Sequence, residues 1–142
     1  MNTKDRVSFL FIGFVIWAAA TSVYRLAGSF FFEGSAAEYW LNVIVSVILC
    51  AVVPLGLLKW RGIKQKDWLQ GAICMALPGM LSEIPILFGF SELMHNMHPE
   101  TAGRYAAYLF GCYSSLIGSA WLMSTKASLR SSSDAQFLSP EQ

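Results

Sequence analysis

Four apolar runs, each long enough to cross a hydrocarbon layer as a helix, constrain this chain more than any other feature; they fall at about residues 7–26, 39–58, 68–93 and 105–123. A bilayer core of about 30 Å is crossed by about 20 helical residues. No water is present at that depth to satisfy backbone N–H and C=O groups, so a spanning segment must close its hydrogen bonds internally. The expected fold class is therefore all-α: an integral membrane antiparallel four-helix bundle. Residues 1–126 would form the four-span transmembrane domain, and 127–142 a polar tail read as disordered. Composition agrees, since 55% hydrophobic and 13% charged residues exceed what one small soluble core can hide.

The first run admits a rival reading as a signal peptide, with Lys4 and Arg6 ahead of it and Ala18-Ala19-Ala20 as a cleavage site. Its apolar character continues past that site through Val23, Tyr24 and Leu26, which favours a span. Residues 25–38 are then the first loop, with Phe30-Phe31-Phe32 lying in the interface. The third run is longer than a span needs, and Pro78, Gly79 and Pro85 offer places for it to tilt or break.

Orientation follows from the basic residues. Lys4, Arg6, Lys59, Arg61, Lys64, Lys66, Lys126 and Arg130 fall on one side of the four runs, and Arg25 and Arg104 on the other. Such a bias puts both termini in the cytoplasm. It also accounts for the basic residues without nucleic acid, and a net charge of +1 sets up no field that would attract one.

Helices in lipid associate through small residues and through polar groups that bond across. Ala72, Ala76, Gly79 and Glu83 form one such seam, and Tyr108, Gly111, Ser115 and Gly118 another. Glu83 stands apart, because a carboxylate at that depth is costly unless it is partnered. With about 1.5 Å of rise per residue, Glu83 lies about 24 Å beyond Asp67 and Arg25 about 28 Å beyond Arg6. Counted from Lys59 and Lys126, Asn42 and Tyr108 reach about 26 Å and about 27 Å. One layer in the outer third of the membrane thus collects Arg25, Asn42, Glu83 and Tyr108. Trp17, Thr21 and Arg25 share one face of the first span, so an Arg25–Glu83 ion pair is expected. That pair is either a structural clamp or part of the wall of an outward-opening cavity.

Weaker signals are set aside. Glu92, His95 and His98 could share a helical face, with Met94 and Met97 as soft ligands, but the chain has only two histidines and solvated loop polarity is the better reading. Cys50, Cys74 and Cys112 all sit in apolar runs, which makes them small core residues rather than a disulfide framework. No nucleotide loop, dinucleotide fingerprint, zinc-protease motif or nucleophile elbow is present, so no cofactor is expected and an enzyme is disfavoured.

The stretch Phe14 to Phe32, with its Ile16-Trp17, Thr21, Arg25 and Phe30-Phe31-Phe32, resembles the opening of a family of small bacterial four-span membrane proteins of unknown function. The resemblance implies a bacterial inner (cytoplasmic) membrane and four spans, and it carries no activity. Small multidrug transporters share the chain length but carry their membrane carboxylate in the first span, where this chain has none. The glycine- and asparagine-rich signatures of fluoride channels are missing. The expectation is a small polytopic membrane protein that binds or transports a small solute or ion at the polar cluster, with the lipid bilayer around it. A homodimer or a partner membrane protein is the candidate assembly. The alternative is a non-catalytic accessory protein in which the seams dock partner helices and the ion pair only holds the bundle.

Overall fold

The computed structural model describes residues 1–137, and among them every regular element is helical. Four helices are long and apolar enough to cross a membrane. They are α1 (Thr3–Phe32), α2 (Ala36–Trp60), α3 (Trp68–Phe88) and α5 (Ala102–Phe137), with the single turn α4 (Phe90–Leu93) after α3. Short 3-10 turns precede α3 at Gln65–Asp67 and α5 at Pro99–Thr101. Local sequence explains the starts of the first two. Asn2 and Asp5 form a reciprocal capping box ahead of α1, and Ser35 and Glu38 do the same for α2, each pair satisfying N–H groups that a first turn leaves open.

The expected boundaries shift in three places. Residues 25–32, read as loop, stay helical; α1 turns slightly at Ala27, where the backbone leaves helical geometry, and ends at Phe32. The aromatic triplet accordingly splits. Phe32 is fully buried while Phe30 stays exposed. The long third run breaks at Gly89, not at Pro78 or Pro85, which both lie inside α3. Each proline removes only one backbone donor, and the helix continues around it. At the far end α5 carries the polar tail as helix through Phe137, while residues 138–142 lie outside the described part.

The helices do not pack in chain order. α1 lies along α3, α3 along α5, and α5 along α2, while α1 and α2 touch little. Gly13 makes the α1–α3 contact possible: a Cβ there would run into the Met75 backbone. The small-residue seam of α3 is buried at Ala72, Ala76, Gly79 and Glu83. On α5 the deeply buried positions are instead Tyr105, Tyr108, Cys112, Leu116 and Ala120. Gly111 and Ser115 face α2 at Val47, where the Ser115 hydroxyl donates to the Val47 carbonyl at 2.8 Å. Gly118 has open space where a side chain would stand.

Both ends are tied. At one, the Met1 amine pairs with Asp67 at 3.1 Å, and the Ser124 hydroxyl bridges the Leu69 N–H and the Gln65 carbonyl, each at 3.0 Å. At the other, the Glu33 carboxylate receives the Thr101 hydroxyl at 2.6 Å and the His98 backbone N–H, and Arg104 donates to the Phe32 carbonyl at 3.1 Å. Glu33 thus caps the start of the 3-10 turn that leads into α5, where an anion is favoured. Partial burial works to raise this carboxyl, but the Thr101 and His98 hydrogen bonds, helped by the His98 and Arg104 charges, outweigh it and hold it below its ordinary value.

Candidate functional site

α1, α2, α3 and α5 enclose a cavity of about 210 Å³. It lies where the inward faces meet: Trp17 and Thr21 from α1, Cys50 from α2, Glu83 from α3, and Tyr108 and Cys112 from α5. Its rim includes Ile16 and Ala20 on α1 and Leu49 and Val53 on α2, all four exposed. Those two helices touch each other little. The cavity therefore opens sideways, between α1 and α2, through an apolar rim that would face lipid.

Glu83 is the polar centre of the wall. Only 4% of its surface is exposed. Its Oε1 receives the Trp17 indole N–H at 2.8 Å and the Tyr105 hydroxyl at 3.3 Å, while its Oε2 is buried with no hydrogen-bond partner. A second polar group sits toward the Glu33 end. The Tyr24 hydroxyl lies 2.9 Å from that of Tyr108 and 3.3 Å from Asn42 Oδ1, and Asn42 Nδ2 is buried without a partner. The Tyr24 ring packs edge-on against Phe31, Phe32, Tyr105 and Tyr108, with centroids 5.1–6.2 Å apart. Asn96 reaches in from the connecting segment and donates to the Tyr24 carbonyl at 3.0 Å.

Of the four residues expected in one layer, the structure gathers three. Asn42 and Tyr108 meet through Tyr24, and Tyr105 packs between that group and Glu83. Arg25 does not join them. It is exposed, and neither of the two ion pairs among the described residues involves it or Glu83. The cause is register. Gly13 lies against Met75 and Trp17 against Gly79, and continuing that alignment puts Arg25 beside Leu87, one turn or about 6 Å past Glu83. The carboxylate instead takes the Trp17 indole N–H, which reaches it from one turn nearer the Met1 end, and the Tyr105 hydroxyl from α5.

Two members of the site went unmarked in the sequence, Tyr24 and Tyr105. Tyr105 stands three residues before Tyr108, one helical step along the same face, so extending the α5 seam by one turn identifies it. Tyr24 stands next to Arg25, at the point where the charge makes the span look finished. The metal candidates do not converge. Glu92, His95 and His98 are all exposed, Met94 and Met97 are buried as apolar packing with Met97 against Gly28, and no group of three His, Cys, Asp or Glu side chains comes together among the described residues. His98 Nε2 lies instead 4.0 Å from Glu33. All three cysteines are free.

Comparison with curated proteins and with solved structures finds no match to this chain. A family profile does match, over residues 31–127. That range begins where the first-span resemblance ends, so the relationship rests on α2, α3 and most of α5 and includes Asn42, Glu83, Tyr105 and Tyr108 but not Trp17 or Tyr24. Covering well over half of the sequence, the match shows that the chain belongs to the family of unknown function DUF5367.

Proposed function

We propose that this chain is a polytopic protein of a bacterial inner membrane that binds a small molecule inside the bilayer, as the binding step of transport or sensing. The observation that carries the reading is a cavity walled by all four spanning helices that contains a buried carboxylate with one unpartnered oxygen. An intramembrane ionisable group is expensive and faces protein or a cavity; here it does both. Pockets of a few hundred Å³ with apolar walls and a few convergent polar groups are the usual form of small-molecule sites.

Xenon tests the cavity directly, since apolar cavities of this size take it up. In protein reconstituted into lipid nanodiscs, xenon NMR is expected to report an exchanging bound population that disappears in Ala20→Phe, a substitution that fills the rim. Equal signals from wild type and variant would show that the space is not an accessible site.

The orientation belongs to the same proposal, with both termini cytoplasmic as the eight-to-two distribution of Lys and Arg indicates. In intact cells, with the native cysteines replaced, a membrane-impermeant maleimide should label Ala37→Cys and spare Lys64→Cys, both of which replace exposed residues. The reverse pattern would invert the protein and turn the Glu83 layer toward the cytoplasm.

A further inference from the structure

We infer that the occupant of this cavity is an organic cation that enters from the bilayer, with its charge held between the free carboxylate oxygen of Glu83 and the surrounding aromatic rings. The inference rests on the reading of the cavity as a binding site and adds the chemical class of the ligand. Three observations converge on it.

The first is charge. Glu83 is the one acidic or basic side chain on the cavity wall, its Oε2 has no partner, and neither ion pair among the described residues supplies it a counter-charge. An anion entering the cavity would meet that carboxylate with nothing basic to offset it; a cation would complete it. The second is the lining. Trp17, Tyr24, Tyr105, Tyr108 and Tyr113 all border the same space, and aromatic faces carry the negative side of a quadrupole that attracts cations, quaternary ammonium groups above all. The third is the route. The rim between α1 and α2 is Ile16, Ala20, Leu49 and Val53, which offers no oxygen to replace the water shell of a metal ion. Hard cations need about six oxygen ligands, whereas a cation clothed in methyl or phenyl groups crosses an apolar rim without that loss. Size sets the scale: benzene occupies a cavity of about 150 Å³, so about 210 Å³ with an open side suits about ten non-hydrogen atoms.

Phenyltrimethylammonium has that size and a charge that no pH removes, and tert-butylbenzene is its uncharged isostere. Binding of each is measured in nanodiscs by displacement of the xenon signal, on wild type and on Glu83→Gln. The cation is expected to lose about 30-fold or more in affinity in the variant, as when one partner of a buried charge pair is removed, while tert-butylbenzene changes by less than about threefold. Should Glu83→Gln fail to fold, wild type alone decides: phenyltrimethylammonium must displace xenon and benzenesulfonate, of similar size and opposite charge, must not. Displacement by benzenesulfonate as readily as by the cation, or a cation affinity unchanged in Glu83→Gln, overturns the cation assignment and leaves the cavity as a site for another class. No bound xenon in wild type, and no binding of any probe, would remove the cavity reading itself.

Discussion

Gly13→Ala is expected to lower the stability of the reconstituted protein by about 1–3 kcal/mol, toward the upper end of what overpacking a core costs. A new Cβ at this position meets the carbonyl oxygen, carbonyl carbon and Cα of Met75. Side chains can rotate out of the way, but the backbone of a helix cannot, so α1 and α3 must separate. In lipid that separation is not opposed by a hydrophobic drive, because the acyl chains are as apolar as the side chains they replace. Gly56→Ala is the control. It lies in α2 with nothing within 4 Å of the added carbon, and alanine there gains helix propensity of about 0.5–1 kcal/mol. Unfolding of both variants in mixed micelles, followed by far-UV circular dichroism, should move in opposite directions. Gly13→Ala as stable as Gly56→Ala would mean that the α1–α3 contact is looser than its geometry states. The same separation would carry Trp17 away from Glu83, so the Gly13 variant should also lose cavity binding although residue 13 supplies no polar group.

The elements of the fold could be read from the sequence because a single quantity sets them, the length of apolar helix needed to cross hydrocarbon. The neighbours of each helix could not. Short loops between successive spans suggest that α1 and α2 lie side by side, yet α1 packs on α3 and α2 on α5, and it is the poor α1–α2 contact that opens the cavity. Nothing local to α1 or α2 encodes that gap; it follows from Gly13 fitting Met75 and from Ser115 and Gly111 fitting Val47, which are matches between distant residues. Residues 25–32 read as loop, yet they are helical, for a related reason. Residues 28–32 look interfacial by composition, but Gly28 and Phe32 continue the buried face of α1 that includes Thr21 and Tyr24, a periodicity visible only if the helix is allowed to run past its charged residue.

Depth counting places Glu83, Asn42 and Tyr108 near one another because its reference residues Asp67, Lys59 and Lys126 share one end of the bundle, where Ser124 bonds Leu69 and Gln65 and Leu58 clusters with Trp68. It fails for Arg25 because depths of about 28 Å and about 24 Å already leave that residue most of a turn beyond Glu83, and its side chain is exposed. The partner of Asp67 at that end of the bundle is the Met1 amine, at 3.1 Å, and α1 is already helical at Thr3. Gly13 facing Met75 sets Arg6 level with Trp68, so equating Arg6 with Asp67 hides one further residue of that offset, about 1.5 Å. Long basic side chains reach over such distances to water, so they mark the side of a membrane well and its edge poorly.

That displacement of register makes a second large effect measurable, as a coupling between Trp17 and Glu83. Trp17→Phe keeps an aromatic ring but removes the N–H that bonds Glu83 Oε1 at 2.8 Å. A hydrogen bond to a charged acceptor contributes about 1.5–3 kcal/mol, and the loss leaves only the longer Tyr105 contact of 3.3 Å on that oxygen. Trp17→Phe alone should cost about that much, and in a Glu83→Gln background much less, for a coupling of about 1 kcal/mol or more in a double-mutant cycle. Arg25→Ala, at an exposed position, should stay within about 0.5 kcal/mol of wild type in both backgrounds. The comparison discriminates between two arrangements of the same residues. In the observed one, the carboxyl group is held on one oxygen by neutral donors and its other oxygen is without a partner, the arrangement that the proposed cation requires. If Arg25→Ala instead proves as costly as Trp17→Phe and couples to Glu83→Gln, the arginine reaches inward to the carboxylate, the charge is already neutralised, and the attraction proposed for an organic cation disappears with it.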